Sequence, residues 1–171
     1  HASGASTVDI LRPHRPAGSL HPLMSFPGPE NGLPTATRIP AAVAGDEAAQ
    51  EAARGLAQKL GFSPFTFDGD RAQYHAAAVM AGNFATTLLV AAGRVLAASG
   101  ISEPDARSLL APLAMTSLHQ SITHGTNALT GPIARGDEAI VKKHVEALTL
   151  LDPDLAELYI DMSTATRRIK G

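Results

Sequence analysis

A chain of 171 residues, 44% hydrophobic and 18% charged, has the composition of one globular domain or two small ones, which excludes a disordered chain. The formal net charge of −2 gives no basic footprint for nucleic acid. The absence of cysteine excludes a disulfide framework, a cysteine nucleophile and a thiolate metal site, and fits a cytoplasmic protein. Tryptophan is absent too, so the core must be built from small and aliphatic side chains. The sequence opens on His1 with no basic segment leading into an apolar one, so no signal peptide is expected. His1-Ala2-Ser3-Gly4 reads as a loop leaving a strand, and a longer protein with an upstream segment is the expectation.

In chain order, residues 6–11 predict a short helix stopped by Pro13 and Pro16. Residues 19–26 predict a strand that runs into a loop, and the Pro- and Gly-rich residues 27–40 predict irregular chain. Residues 41–44 predict a short apolar strand. Asp46 is expected to cap a helix through Leu60, with Gly61 just past its end. Residues 64–67 predict one more strand. Strands alternating with helices point to a parallel or mixed sheet.

From Asp70 onward every periodicity is helical, so the expected boundary is Gly69-Asp70. The spacing predicts one long helix over 71–98, a second from Ser102 to about Ile122, a connection over 125–136, a third helix capped by Asp137, and a last one opening at Asp152-Pro153. The stretch 72–93 is long enough to cross a bilayer. Its Ala, Gly and Thr content, with Asn83 in the middle, argues instead for the buried centre of a bundle or dimer.

Three stretches can carry chemistry. His21 sits at or near a strand end, where it either faces a ligand or is hydrogen-bonded within a turn. Tyr74, His75 and Asn83 are polar groups on a helix of small residues. At about 100° per residue, His75 and Gly82 share a line and Asn83 lies about 80° away. His75 and Asn83 are then separated by about 12 Å along the axis and line one groove or are satisfied core groups. Thr130-Gly131-Pro132, followed by Arg135, offers free N–H groups, a hydroxyl and a guanidinium for an anion, or is a capped helix start with a solvated arginine. His119 and His124 are five apart, off the helical metal spacing, and no metal site is expected. Lys142, Lys143 and His144 read as a solvated helix face.

Five stretches occur together and in order: HASGA, SLHPLMSFPG, GDEAAQEAARGLAQKLGFSPFTF, YHAAAVMAGNF and ALTGPIARGDEAIVKKHVEAL. They resemble an uncharacterised Rossmann-like oxidoreductase family with a C-terminal domain of unknown function, family 2520. In that family a Gly-rich nucleotide-binding unit comes first, and this sequence holds no G-x-G-x-x-G. More distantly, the family is similar to pyrroline-carboxylate reductases, ketopantoate reductases and 6-phosphogluconate dehydrogenase-like proteins.

The resemblance implies an α+β chain. Residues 1–69 would be the C-terminal part of a Rossmann-like NAD(P)-binding domain. Residues 70–171 would be an all-α helical domain like that of 6-phosphogluconate dehydrogenase, serving dimerisation and substrate binding. It further implies NADP or NAD as cofactor, a small carboxylate-bearing substrate and a homodimer, with no nucleic-acid or membrane partner. By the same resemblance His1, Ser3, Gly4 and His21 would face the cofactor, and Tyr74 or His75 would donate a proton. Asn83 would orient substrate or nicotinamide, and Thr130, Gly131, Pro132 and Arg135 would hold the carboxylate. Related hydroxyacid dehydrogenases carry a lysine four residues before the asparagine, where this sequence has Val79; that departure disfavours alcohol–ketone chemistry and favours imine reduction, an enol-type substrate, or a different acid such as His75 or Tyr74. A non-catalytic nucleotide-sensing or dimerisation module is the rival expectation.

Overall fold

The structure, a computed structural model, describes residues 1–28, 30, 32 and 38–171. The irregular stretch expected over 27–40 lies partly outside the described residues. The chain forms two compact units, 1–85 and 86–171. The change from strands to helices falls at Asp70, as the periodicity indicates, while the division between units falls further on, within the long helical stretch.

The first unit holds a three-stranded mixed sheet in the order β1-β2-β3, with β1 at Gly18–Pro22, β2 at Pro40–Gly45 and β3 at Ser63–Thr66. β1 is antiparallel to β2, with His21 opposite Ala42, and β2 is parallel to β3. The parallel pair is joined by helix α1, Glu47–Lys59, as a parallel crossover requires. The segment before β1 holds a 3-10 turn at Val8–Leu11, where the sequence predicted a slightly longer helix.

The central strand is sealed on both faces: Ala41, Ala42, Val43 and Ala57 of α1 are wholly buried. Small side chains let α1 approach the sheet closely. A Cβ on Gly18 would lie 2.8 Å from the Ala49 Cβ, so Gly18 and its alternates face α1. Ser19 and His21 therefore face the opposite side of the sheet. Gly45, at φ 119°, ends β2 where any side chain would strike the Ala17 carbonyl at 2.3 Å.

Asp46 occupies the N-cap position of α1, but its carboxylate does not cap the helix. It turns back to accept from the Arg15 guanidinium and from the Ala17 backbone N–H at 2.9 Å. Tying the preceding loop to the helix start outcompetes the local cap because a charged donor makes the stronger hydrogen bond.

Helix α2, Arg71–Val79, continues through a π-helical turn, Met80–Phe84, into α3, Ala85–Ala97. Asp70 caps α2, accepting from Ala72 and Gln73 at 2.7 and 3.1 Å. The π turn revises the angular expectation for this helix. It holds more residues per turn than an α-helix, so positions past Met80 lag the 100° spacing and Gly82 and Asn83 are displaced around the axis from the faces assigned to them. The whole stretch Arg71–Ala97 is long and apolar enough to cross a membrane by length and composition, and little of its most apolar part is buried in the single chain.

The second unit adds α4 at Glu103–His124, a 3-10 turn at Gly125–Ala128, α5 at Gly131–Arg135, α6 at Glu138–Leu151 and α7 at Pro153–Lys170. The connection expected over 125–136 thus contains a short helix of its own. Ser102, Asp137 and Asp152 cap their helices through the side chain as their positions in the sequence predict. Ala106, Val141, Leu148, Ala156 and Ser163 form its small core. On α4, Leu109, Leu113, Met115, Leu118 and Ile122 stay exposed.

Candidate functional site

The site builds outward from Gly4, which is buried. The His1 N–H donates to the Gly18 carbonyl at 2.9 Å, and the His1 carbonyl accepts from Leu20 at 3.0 Å. These are the two bonds of a parallel ladder with β1. The chain then turns at Ser3, whose backbone N–H donates to the His1 ring at 3.2 Å and whose hydroxyl bonds Ser6 at 2.9 Å. The turn delivers Gly4 onto the face of β1 that carries His21.

There the packing leaves no space for a side chain. A Cβ on Gly4 would lie 2.7 Å from His21 Nε2 and 2.8 Å from His75 Cδ2. Two imidazoles, one from the sheet and one from α2, converge on one glycine backbone.

His21 Nδ1 lies 2.9 Å from the Tyr74 hydroxyl, the rings meeting edge to face at 5.5 Å. Tyr74 also packs on Phe67 at 4.7 Å between centroids. Burial lowers the His21 pKa from 6.5, helped by the charge of Arg71 and by His75. Burial raises the Tyr74 pKa, opposed by Arg71. At neutral pH the pair is therefore an imidazole and a phenol, both uncharged. A neutral His21 has two tautomers. In one, Nδ1 accepts the Tyr74 proton and Nε2–H faces Gly4. In the other, Nδ1–H donates to the phenolic oxygen and leaves the Tyr74 proton free for a substrate. One tautomer shift thus converts Tyr74 from an internal donor to an external one.

Arg71 is the residue that sequence reasoning missed. It is only 7% exposed, and Nη2 donates to the Ser3 carbonyl at 2.7 Å. Its guanidinium carbon lies 5.1 Å from the Tyr74 ring centre and 6.0 Å from that of Phe67. A signal was available: a cation in the first turn of a helix opposes the helix dipole and needs a reason to be there.

Of the sequence-derived residues, the structure brings together His1, Ser3, Gly4, His21, Tyr74 and His75 in the first unit. It also revises why His21 is well placed. β1 runs opposite to β2 and β3, so its carboxyl end lies beside the start of β2, not at the carboxyl ends of the parallel pair. Asn83 lies in the π turn and is exposed, with a partner of its own. π turns of this kind recur at functional sites. Thr130, Gly131, Pro132 and Arg135 belong to the second unit. Thr130 precedes α5 without a side-chain cap, Pro132 has no N–H to offer, and Arg135 is exposed at the far end of this five-residue helix. α5 is too short to build up a substantial macrodipole.

The second unit has a cavity of its own, about 570 Å³, lined by apolar residues of α3, α4, α6 and α7. Its polar mark is a second histidine–tyrosine pair, His144 Nδ1 lying 2.8 Å from the Tyr159 hydroxyl.

The small mixed sheet followed by a helical unit defines an α+β protein. Residues 39–166 match the family described as Domain of unknown function (DUF2520), and the chain belongs to that family. The fold is that of a Bacteroides fragilis protein named "putative NADP oxidoreductase BF3122", at a TM-score of 0.85 and 22% identity over 98% of this chain. It is also similar to the protein TM1727 from Thermotoga maritima, at a TM-score of 0.77 and 25% identity over 99% of this chain. The chain spans 64% of the former and 67% of the latter. No functionally curated protein matches it.

The lowered His21 pKa has a stability consequence. A histidine held neutral in the fold and free to protonate at 6.5 when unfolded contributes stability above 6.5 that is lost as pH falls through the lower folded value. Denaturation midpoints taken on both sides of 6.5 should fall on the acid side, and His21→Gln should flatten that slope. An unchanged slope in the variant would show that His21 is not held neutral.

Proposed function

We propose that the intact protein is an NAD(P)-dependent reductase that transfers hydride to a small, carboxylate-bearing substrate, at the electrophilic carbon of an imine. The observation that carries this reading is the uncharged His21–Tyr74 pair packed against the Gly4 backbone. Such a pair suits a proton donor beside a hydride acceptor. His1, Ser3, Gly4 and His21 would hold the nicotinamide, which supplies hydride when bound, beside the closely packed Gly4 turn rather than within it. The resemblance in fold to a protein named for NADP supports the cofactor class.

In this reading Tyr74 donates the proton, and His21 returns one to it from Nδ1–H while taking up a solvent proton at Nε2, which leaves the ring neutral in its other tautomer. His75 closes the other side of Gly4, and Asn83 orients the substrate or nicotinamide. Thr130, Gly131, Pro132 and Arg135 contribute an anion contact from the helical unit. Residues 1–69 act as the C-terminal part of the NAD(P)-binding domain and 70–171 as the substrate and dimerisation domain, in a cytoplasmic protein.

The helical unit dimerises with a second copy. On α4 alone, Leu109, Leu113, Met115, Leu118 and Ile122 are each more than half exposed, apolar side chains that a partner surface would cover. Sedimentation of the intact protein should give a dimer, weakened by Gly82→Leu. A monomer at high micromolar concentration would overturn the assignment.

The chemistry is tested by following NADPH oxidation by the intact protein against a panel of keto acids and cyclic imines. Tyr74→Phe removes the proton and keeps the ring, so turnover should fall by roughly two to four orders of magnitude at an unchanged melting temperature. Retained turnover in Tyr74→Phe would remove it as donor. No oxidation of any panel member by the wild type would favour the nucleotide-sensing alternative.

A further inference from the structure

The guanidinium of Arg71 is in an unusual state for a buried cation. Its Nε and Nη1 are shielded from solvent and have no hydrogen-bond partner. Among the described residues it forms no salt bridge. Its contacts are the Ser3 carbonyl and the two aromatic rings. A single carbonyl and two π faces stabilise the charge without neutralising it, and a buried charge left unpaired is costly. The Ser19 hydroxyl, on the same sheet face as His21, is a second buried group without a partner. Buried polar groups are satisfied in nearly all native structures, so orphans on one face call for a group supplied from outside the fold.

We infer that Arg71 is the principal anion-binding residue of this site, and that its ligand is a forked oxyanion, a carboxylate or a phosphate. The guanidinium has two donor edges, and Nη2 belongs to both. An oxyanion that displaces the Ser3 carbonyl from Nη2 therefore pairs at once with Nε or with Nη1 and satisfies an orphan either way. The Ser3–Gly4 turn is the element that the exchange moves, and it is the same turn that packs against His21 and His75. Anion capture and the position of the two imidazoles are then coupled through one peptide. This deepens the proposed function, on which it rests for the origin of the ligand: the carboxylate would belong to the substrate and the phosphate to the dinucleotide.

The test is thermal melting of the intact protein with acetate or inorganic phosphate, against chloride at equal ionic strength. Wild type should gain several degrees with at least one probe. A gain with acetate alone identifies a substrate carboxylate, and a gain with phosphate alone a cofactor phosphate. Arg71→Met replaces the cation with an apolar side chain. In chloride it should melt at or above the wild-type temperature, and the anion-dependent gain should vanish. Arg71→Lys, which keeps a charge but no fork, should retain only a reduced gain. No gain in wild type, or an equal gain in Arg71→Met, overturns the proposal. A large loss of stability in Arg71→Met together with an undiminished gain in Arg71→Lys overturns it as well and makes Arg71 structural. Reductase chemistry fails separately: NADPH oxidation can be absent while the anion-dependent gain stands, and the reverse.

Discussion

One buried cation holds the candidate site together. Arg71 reaches from the first turn of α2 to the Ser3 carbonyl, and on the way lies against Phe67 and Tyr74. It thereby joins the segment before β1, the end of β3 and the start of α2, three stretches far apart in sequence. That bond meets the Ser3–Gly4 turn where Gly4 lies against His21 and His75. The same charge acts on the chemistry: it adds to the burial that keeps His21 neutral and opposes the burial that keeps Tyr74 protonated. Arg71 thus bears on both position and protonation in this cluster, the latter second to burial.

Small residues make such proximity possible. The alanines of β2 and α1 let the helix lie close on one face of the sheet, and Gly18 lets it come closer still. The opposite face is left for the site. There the strand alternation of β1 presents Ser19 and His21 together, and the absence of a Cβ on Gly4 brings backbone into contact with both rings. A larger side chain at position 4 would move a ring that the His21–Tyr74 bond fixes.

Much of this was legible in the sequence for physical reasons that act locally. Gly61 and the side-chain caps at Ser102, Asp137 and Asp152 mark helix ends because the end of a helix is a local hydrogen-bonding problem. His21, Tyr74 and His75 were visible as polar groups in apolar settings. What stayed hidden depends on contacts between distant segments. Asp46 has the sequence of a cap, yet Arg15 and Ala17 recruit its carboxylate. The π turn at Met80–Phe84 has no local signature in a run of small residues, so the faces of Gly82 and Asn83 could not be assigned from a regular period. Arg71 is set apart in the sequence only by its place against the helix dipole, and its role depends on burial against residues 3, 67 and 74.

In the function proposed for it, the chain meets a ligand of the nicotinamide class beside the Gly4 turn, against the rings of His21 and His75. Imidazole nitrogen NMR of the intact protein with labelled histidine, recorded as NADPH is added, tests it most directly. The rings of His1, His21 and His75 should shift, while those of His119, His124 and His144 in the helical unit hold still. Shifts confined to the helical unit, with His21 and His75 unmoved, would contradict it.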